Sequence, residues 1–486
     1  MHRILAVFLL FSAAFAQTED ELAREVKRVV EVYAAVEANA ADPVSAEQAF
    51  YQGAIPGMLR RLDPHSVFFD ADQFELLRKL QTSMQKGFGT VVSVLPGRVI
   101  VLQTLPGTPS AKAGILPGDE ILAVNNYDLS RLDIEQLTGL LGQTRQQKAE
   151  LVVKRPGNIR MLTLVLTPED LQAPSVERSF LLRPGIGYVR VSSFDEQTGA
   201  QIRQAIEEMG GAKLKGLVLD LRNNPGGVLT AALETASLFL KPGLKVVTVR
   251  GRSVEEHAQN VPENARPYEF PMAVLVNGKS ASASEIVAGA VQDYDRGVIV
   301  GEPSFGKGLV ESVFPLSEGA GLALTTALYY TPSGRSIQKP LGAALAATTA
   351  KTDKAVTYKT QAGRTVTGGG GILPDRVVYP PGMSRLAMVL DASGSFTTFA
   401  THYLARNRID EKFEITPALL DEFKVFLAER RIQPSVGEWS GEREFVRNRL
   451  KTELFNQALG VAKGDEVEAQ RDPQILKALE AVLQGA

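Results

Sequence analysis

Hydrophobic and polar positions predict that the first stretch of the chain is helical. Between residues 18 and 39, apolar side chains recur at the three- and four-residue spacing of an amphipathic helix. Ser45 is followed three positions later by Gln48, a capping-box pattern that predicts the start of a second helix. A third helix is predicted between residues 71 and 80. Residues 17–82 are therefore predicted to form a helical N-terminal region.

The pattern changes in the next stretch, residues 83–168, to short alternating runs that are typical of β-strands. Two pairs of these runs turn at Pro96-Gly97 and at Pro156-Gly157, and both dipeptides are strong turn signals. Two short helices are predicted between the two pairs. The stretch therefore predicts a compact, mostly β domain, built as a small barrel or sandwich.

Strands and helices alternate over residues 169–380, in the order expected of an α/β fold. Within this stretch, residues 341–371 are rich in alanine, threonine, lysine and glycine, and this composition predicts an exposed, flexible loop. Helical periodicity returns over residues 381–486, where helices are predicted around 395–407, 417–430 and 441–459. The whole pattern predicts a multidomain α+β protein with helical regions at both ends.

The amino-acid composition excludes several classes of function and agrees with the predicted fold class. The chain has 486 residues, too many for a single hydrophobic core. Hydrophobic residues make up 44% and charged residues 22%, which is ordinary for a globular protein. Lysine and arginine total 53 against 55 acidic residues, so the sequence predicts no general attraction to nucleic acid. Cysteine is absent, which excludes disulfide bonds, a cysteine nucleophile and cysteine-based metal sites.

The N-terminus has the pattern of a secretion signal. His2 and Arg3 precede a mostly apolar run over residues 4–15, and residues 14–16 fit the small-x-small rule for cleavage. The run is too short to span a bilayer comfortably. We therefore expect residues 1–16 to be removed and the mature protein to be exported, to the periplasm or the extracellular space. An uncleaved membrane anchor is the alternative.

Three serines alternate with alanine where a buried-type strand runs into a predicted helix, namely Ser280, Ser282 and Ser284. A hydroxyl at such a turn would lie beside backbone N–H groups and the positive end of the helix dipole, which together can hold an oxyanion. Serines are also the usual residues of turns and helix N-caps, and by composition alone this structural role is the more common one. The pattern does not choose among the three.

Two further segments could contribute to a site. Residues 301–308 nearly match a phosphate-binding loop, but Gly308 replaces the serine or threonine that would bind magnesium, so nucleotide binding is not favoured. A buried strand ends at a loop with Gly226 and Gly227, which could supply an oxyanion donor or simply form a tight turn. No histidine lies in a catalytic signature, so a lysine is the better candidate base if Ser282 is a nucleophile.

Taken together, these segments resemble the carboxyl-terminal processing, or tail-specific, protease family. The β-rich stretch is similar to the PDZ domain of that family, with Gly87, Phe88 and Gly89 where the carboxylate of a substrate would be held. The motifs that carry the resemblance occur in the order of the family: Leu-Asp-Leu-Arg-Asn-Asn-Pro-Gly-Gly at 219–227, Ser-Ala-Ser-Ala-Ser-Glu at 280–285, Phe-Gly-Lys-Gly at 305–308, Tyr-Tyr-Thr-Pro at 329–332 and Gly-Ile-Leu-Pro-Asp at 371–375.

The resemblance implies a secreted serine endopeptidase that cleaves proteins near their C-terminal tails. It assigns Ser282 as the nucleophile and Lys307 as the general base. It also assigns the N–H of Ala283, and one N–H from Gly226 or Gly227, to the oxyanion hole. No metal or organic cofactor is implied. The expected substrates are proteins with flexible, apolar tails that bind through the PDZ domain.

One position departs from the family pattern. The family usually has a glutamine four residues after the lysine, where it orients the amine, and this chain has Glu311 there. The alternative function is therefore a PDZ-containing, peptide-binding scaffold that has lost catalysis. The presence of both Ser282 and Lys307 argues against that alternative. The sequence leaves open whether the protein forms a homo-oligomer or needs an activating partner.

Overall fold

The computed structural model describes residues 2–81, 84–340 and 356–485. These residues form two compact units. The first unit contains residues 2–75, 310–326 and 340, and the second contains residues 76–309, 327–339 and 356–485. The fold combines helices and sheets, with helical regions at both ends, and so confirms the predicted multidomain α+β class.

The first unit begins with helices. Helix α1 spans His2–Asn39, a π-helical turn spans Gln48–Ala54, α2 spans Ile55–Leu62 and strand β1 spans Val67–Phe69. Pro56 lies in the first turn of α2, where the N–H that proline lacks would have no helical partner. Strand β1 pairs antiparallel with residues 321–323. Among the described residues, no helix is both long and apolar enough to cross a membrane.

The predicted β-rich stretch forms a small domain around one sheet. After α3 (Ala71–Gln81), its elements are β2 (Met84–Gly87), β3 (Thr90–Leu95), β4 (Arg98–Thr104), α4 (Pro109–Lys112), β5 (Glu120–Val124), β6 (Tyr127–Asp128), α5 (Ile134–Thr144), β7 (Ala149–Lys154), β8 (Leu162–Leu166) and β9 (Glu169–Gln172). The sheet has the order β3-β4-β5-β7-β8, with β6 beside β5, while β2 pairs with β9. Val99, Leu137 and Leu151 are buried in its core. Strand β3 lies at one edge of the sheet, next to α5.

Beyond β9, strands and helices alternate as predicted. The elements are β10 (Val176–Arg183), β11 (Ile186–Val191), α6 (Thr198–Glu208), β12 (Gly216–Asp220), α7 (Leu229–Ser237), β13 (Lys245–Arg250), β14 (His257–Asn260), β15 (Met272–Val276), α8 (Ala283–Asp293), β16 (Val298–Gly301), β17 (Leu309–Pro315), β18 (Gly321–Tyr330), β19 (Thr357–Lys359), β20 (Thr365–Thr367) and β21 (Arg376–Val377). The main sheet has the order β10-β11-β12-β15-β16-β21. Its strands from β11 to β21 are parallel. Strands β12 and β15 are buried along their whole length, which explains their nearly continuous apolar sequences.

Strands β19 and β20 form an antiparallel hairpin inside the stretch 341–371, where a flexible loop was predicted. The Arg364 guanidinium, in the turn between the two strands, forms ion pairs with Asp295 and Asp375. These long-range contacts order a segment whose composition by itself is typical of a loop. The hairpin corrects the prediction for the second half of this stretch, and residues 341–355 lie outside the described residues.

The C-terminal region is helical, as predicted, and has a core of its own. Its helices are α9 (Arg385–Ala392), α10 (Ser395–Leu404), α11 (Pro417–Glu429), α12 (Val436–Gly441), α13 (Arg443–Ala458), α14 (Val461–Ala469) and α15 (Pro473–Gln484). Helices α9 to α13 bury a cluster that includes Phe396, Phe399, Phe423 and Leu450. The same region contacts the β-rich domain, because the Val461 N–H donates to Gln103 Oε1 at 3.0 Å.

The last helix, α15, covers one face of the main sheet. Ile475, Leu479 and Val482 lie in one buried cluster with residues of β12, β15 and β16. A Cβ added at Gly216, the first residue of β12, would lie 2.1 Å from Val482 Cγ1. Helix α15 therefore occupies the space that a side chain at position 216 would need. The sequence indicated that this region is helical, but gave no sign that it completes the α/β core.

Substitutions on the two sides of α15 test this packing. Leu479 is 7% exposed and Leu483, one turn later, is 56% exposed. We expect Leu479→Ala to lower the free energy of unfolding by about 2–5 kcal/mol, because it leaves a cavity against the sheet. The matched control, Leu483→Ala, should change it by less than about 0.5 kcal/mol. Urea titrations measure both values, and equal losses would show that α15 does not pack as described.

Candidate active site

Three loops leave the main sheet at the same edge. Strands β12, β15 and β16 are adjacent and parallel, so their carboxyl ends lie together. Strand β12 leads into residues 221–227, which we call the β12 loop; β15 leads into residues 277–282, and β16 into residues 302–307. These segments, with Ala283 at the start of α8, contain all the residues predicted for the catalytic dyad and the oxyanion hole.

Hydrogen bonding distinguishes the three alternating serines. Ser280 Oγ donates to Leu221 O at 2.8 Å, and Ser284 Oγ donates to Asn224 O at 3.0 Å. Both serines are completely buried, so their side chains hold the β12 loop against the start of α8. Ser282, in contrast, is partly exposed. It is therefore the serine of the three that a substrate could reach.

The backbone of Ser282 is strained. Its φ is 53° and its ψ is −113°, a region that residues with a Cβ rarely adopt. Such conformations cost about 1–3 kcal/mol, persist only where surrounding contacts enforce them, and concentrate at active sites. One of the enforcing contacts is a hydrogen bond of 2.9 Å from the Ser282 N–H to Glu285 Oε2.

The β12 loop lies close to Ser282 at Gly226. A Cβ added at Gly226 would lie 2.8 Å from Ser282 Cβ and 3.0 Å from Ala283 N, so only glycine allows this approach. The Gly226 N–H donates to Asn224 Oδ1 at 2.8 Å and is therefore already paired. This leaves Gly227 as the better of the two predicted loop donors. The Ala283 N–H is in the first turn of α8, where N–H groups have no partner within the helix.

A buried carboxylate joins the serine and lysine segments. Glu285 Oε2 accepts hydrogen bonds from the N–H groups of Ser282 and Lys307, each at 2.9 Å. The other oxygen, Oε1, accepts from Ser304 Oγ and, at 2.7 Å, from the Gly306 N–H. Glu285 is completely buried. Because an ionised carboxylate only accepts hydrogen bonds, it can satisfy all these donors at once. Glu285 is the last residue of the motif at 280–285, and the sequence gave no sign of its contact with the lysine segment.

The buried groups around this carboxylate have shifted pKa values. Burial raises the pKa of the Glu285 carboxyl above its ordinary value, and the hydrogen bonds to its oxygens oppose that shift. Burial, and secondly the negative charge of Glu285, raise the pKa of Tyr329 well above its usual range. The neutral Tyr329 hydroxyl contacts Ser282 O at 3.1 Å and also the main-chain oxygen of Lys307. It is a second bridge between the two segments.

Glu311, which stands where the family usually has a base-orienting glutamine, belongs to the first unit. It lies on β17 and its side chain is 26% exposed. Its Oε1 lies 4.0 Å from His65 Nδ1, and His65 is in the same unit. The sequence did not link these two residues, because they are far apart in the chain and the histidine lies in no catalytic signature. Lys307 itself is partly buried and belongs to the second unit.

The predicted carboxylate-binding residues lie at the start of the edge strand β3. Gly87 ends β2, and Phe88 and Gly89 form the connection into β3. The Phe88 carbonyl accepts a hydrogen bond from the Ser110 N–H, and the Gly89 carbonyl accepts one from the Leu105 N–H, both at 2.9 Å. These bonds fix the connection beside the free edge of the sheet.

Comparison with known proteins identifies the family. The family model for the PDZ domain matches residues 100–155, and the model for peptidase family S41 matches residues 185–344. A carboxy-terminal-processing protease of Bartonella bacilliformis is 37% identical over 297 residues, which cover 60% of this chain and 68% of that protein. The chain belongs to the carboxyl-terminal processing protease family. This membership confirms the resemblance found in the sequence, including the PDZ domain and the S41 core.

Other members of the family match a similar share of the chain. The chloroplastic carboxyl-terminal-processing peptidase 2 of Arabidopsis thaliana is 34% identical over 312 residues, which cover 61% of this chain and 60% of that protein. A solved structure of a photosystem II D1 C-terminal processing protease has 27% sequence identity and a TM-score of 0.41, and the match covers 72% of this chain and 92% of that one. The chain thus spans less than two thirds of the Arabidopsis relative.

The Glu285 contacts predict a large effect of a nearly isosteric substitution. In Glu285→Gln, an amide nitrogen replaces one oxygen, so two of the surrounding donors lose their acceptor. Each unpaired buried donor costs about 1–3 kcal/mol, so the free energy of unfolding should fall by about 2–6 kcal/mol. Urea titration of the wild type and the variant measures the difference.

The control for this experiment is Glu438→Gln. Glu438 has the same place in the capping box that begins α12, and its Oε2 accepts the Ser435 N–H at 3.0 Å. Its side chain is 29% exposed, so water can replace a lost hydrogen bond. The loss of stability there should be clearly smaller than at Glu285, because solvent screens the exposed contacts of Glu438. A loss at Glu285 no larger than at Glu438 would contradict the described network.

Proposed function

We propose that this protein is an exported serine endopeptidase that cleaves other proteins near their C-terminal tails. In this proposal Ser282 is the nucleophile and Lys307 is the general base. The observation that carries it is the Glu285 carboxylate, one oxygen of which binds the main-chain N–H groups of both residues. That contact supports a fixed register between the two residues, as a catalytic pair requires. The basic and apolar pattern of residues 1–16 supports export.

The proposed reaction is acyl transfer to water. The neutral amine of Lys307 takes the proton of Ser282 Oγ while that oxygen attacks the peptide carbonyl. The N–H groups of Ala283 and Gly227 stabilise the negative oxygen that forms. The peptide C–N bond then breaks, and the proton passes from Lys307 to the departing amine. Water attacks the acyl-serine by the same base catalysis and releases the shortened protein.

The PDZ domain is proposed to select the substrate by its free C-terminus. Strand β3 is at an edge of its sheet, so an extended tail can pair with it as an additional strand. The connection at Gly87, Phe88 and Gly89 lies at the start of β3 and would hold the terminal carboxylate through backbone N–H groups. Apolar side chains of the tail would pack between β3 and α5, which are adjacent.

Loss of either dyad residue should abolish cleavage without unfolding the protein. The substrate is an unstructured protein with an apolar C-terminal tail. Ser282→Ala and Lys307→Ala should each lower kcat/KM by at least about 10³-fold, because each removes a group that acts in the transition state. Gel-based cleavage rates, with circular dichroism to verify folding, measure this. Near wild-type cleavage by either variant would exclude the dyad.

Two further variants complete this experiment. Lys279→Ala removes an exposed lysine from residues 277–282, the segment that contains Ser282. This variant should keep activity within about twofold of wild type. Glu311→Gln restores the usual residue of the family and should remain active, because Ser282 and Lys307 are unchanged in this variant. If wild type binds tails but cleaves none, while Glu311→Gln does cleave, the scaffold function is the correct one.

Amidation of a tail peptide should weaken its binding. The full-length Ser282→Ala variant is titrated with a fluorescent apolar peptide that ends either in a free carboxylate or in an amide. Loss of hydrogen bonds to a charged group should raise Kd at least about tenfold for the amide. Acetylation of the peptide N-terminus is the control and should have no effect. Equal binding of both forms would exclude carboxylate recognition.

A further inference from the structure

The C-terminal region contacts the β12 loop through Arg222. The guanidinium binds Asp220, which precedes the loop, with Nη2 at 2.6 Å from Oδ2 and Nε at 3.0 Å from Oδ1. Its Nη1 donates to Asp472 Oδ2 at 2.7 Å and to Gln474 Oε1 at 2.8 Å. Asp472 and Gln474 are at the N-terminus of α15, and 250 positions separate Arg222 from Asp472. One guanidinium therefore connects the end of β12, the β12 loop and the last helix.

This network is largely shielded from water. Asp220 is completely buried, and its Oδ2 also accepts a hydrogen bond of 2.7 Å from the Tyr188 hydroxyl. The side chains of Arg222 and Asp472 are 14% and 23% exposed. Solvent and salt screen such a pair less than a surface ion pair, and its bonds fix one geometry. The network is therefore suited to hold the β12 loop in one position.

The two oxygens of Asp472 have separate partners. Oδ1 accepts the N–H groups of Gln474 and Ile475, at 2.8 and 3.1 Å, and so caps α15. Oδ2 accepts from Arg222. Gln474 is 2% exposed and also donates to Glu302 Oε1 at 3.3 Å, in the segment that leads from β16 to the proposed base. The start of α15 thus contacts two of the three loops that form the candidate active site.

We propose that Asp472 and Gln474 are positioning residues that hold the oxyanion donor of the β12 loop in place through Arg222. This inference rests on the proposed function. An oxyanion donor lowers the barrier only if its position is fixed before the reaction, because reorganisation during the reaction cancels the gain. Loss of the contacts that Asp472 and Gln474 make with Arg222 should therefore slow the chemical step. It should leave tail binding unchanged, because the PDZ domain does not contain these residues.

The decisive variant is Asp472→Asn. Asparagine keeps an oxygen that can cap α15, but places an amide that cannot accept a hydrogen bond toward Arg222. The expected result is a fall in kcat of about 10–100-fold, with KM changed less than about threefold. Tail-peptide Kd, measured in the Ser282→Ala background, should not change. An unchanged kcat would overturn the proposal.

A second ion pair provides the matched control. Asp465, in α14, pairs with Arg178 of β10, and their side chains are 29% and 21% exposed. This pair also attaches the C-terminal region to the main sheet, but does not involve the β12 loop. Asp465→Asn should therefore keep kcat within about twofold of wild type. Equal losses of kcat in the two variants would mean that docking of the region matters in general, and would contradict a specific role for Asp472.

Dependence on Arg222 is tested by combining substitutions. Lysine has a single charged nitrogen and cannot reproduce the simultaneous contacts of the guanidinium with Asp220, Asp472 and Gln474. Arg222→Lys should therefore reduce kcat. The double variant Arg222→Lys/Asp472→Asn should have a kcat within about twofold of that of Arg222→Lys alone. Independent, multiplied losses would show that Asp472 does not act through Arg222.

Hydrogen–deuterium exchange separates failure of this inference from failure of the proposed function. If wild type cleaves no substrate, the proposed function fails, but exchange of the amides in residues 221–227 can still be measured. These amides should exchange at least about tenfold faster in Asp472→Asn than in wild type, and at the wild-type rate in Asp465→Asn. Unchanged exchange in Asp472→Asn would overturn the anchoring role whether or not the protein is active.

Discussion

The hydrogen-bonded carboxylate of Glu285 is the interaction on which the rest of the candidate site depends. Burial of a charged group costs several kcal/mol in proteins. Hydrogen bonds to a charged group contribute about 1.5–3 kcal/mol each, so the bonds to Glu285 are together large enough to offset that cost. They form only when the serine and lysine segments are both in place. The carboxylate therefore makes the position of each segment depend on the other, and it helps to hold Ser282 in its strained conformation.

The parallel sheet makes this arrangement possible. Adjacent parallel strands deliver their loops to one edge, so residues near positions 226, 282 and 307 meet without long connections across the molecule. Each loop then has its own support. The β12 loop is held by buried serine hydroxyls and by Arg222, and the other two by Glu285 and Tyr329. Ser282 is partly exposed at this edge, while Ser280, Ser284 and Glu285 are buried behind it.

The sequence predicted the fold class and the family well, because strand and helix periodicity and the motif order are local properties of the chain. It also brought Ser282, Lys307 and the glycines of the β12 loop together, but only through the resemblance. It did not predict that Glu285 bridges two motifs, that Arg364 orders the hairpin, or that α15 covers the main sheet. Each of these depends on a contact between distant segments. The apolar face of an amphipathic helix shows that the helix packs against another part of the protein, but it does not show which part.

The position of α15 on the main sheet also has a consequence for the order in which the protein matures. The strands that it covers end more than 170 positions before it begins. Contacts of such long sequence separation carry a large loop-closure entropy, so we expect them to form late in folding. Until they form, one face of the sheet is exposed and the β12 loop lacks its contacts with Asp472 and Gln474. We therefore expect the proposed active site to reach its final geometry last, after the other segments of the chain have folded.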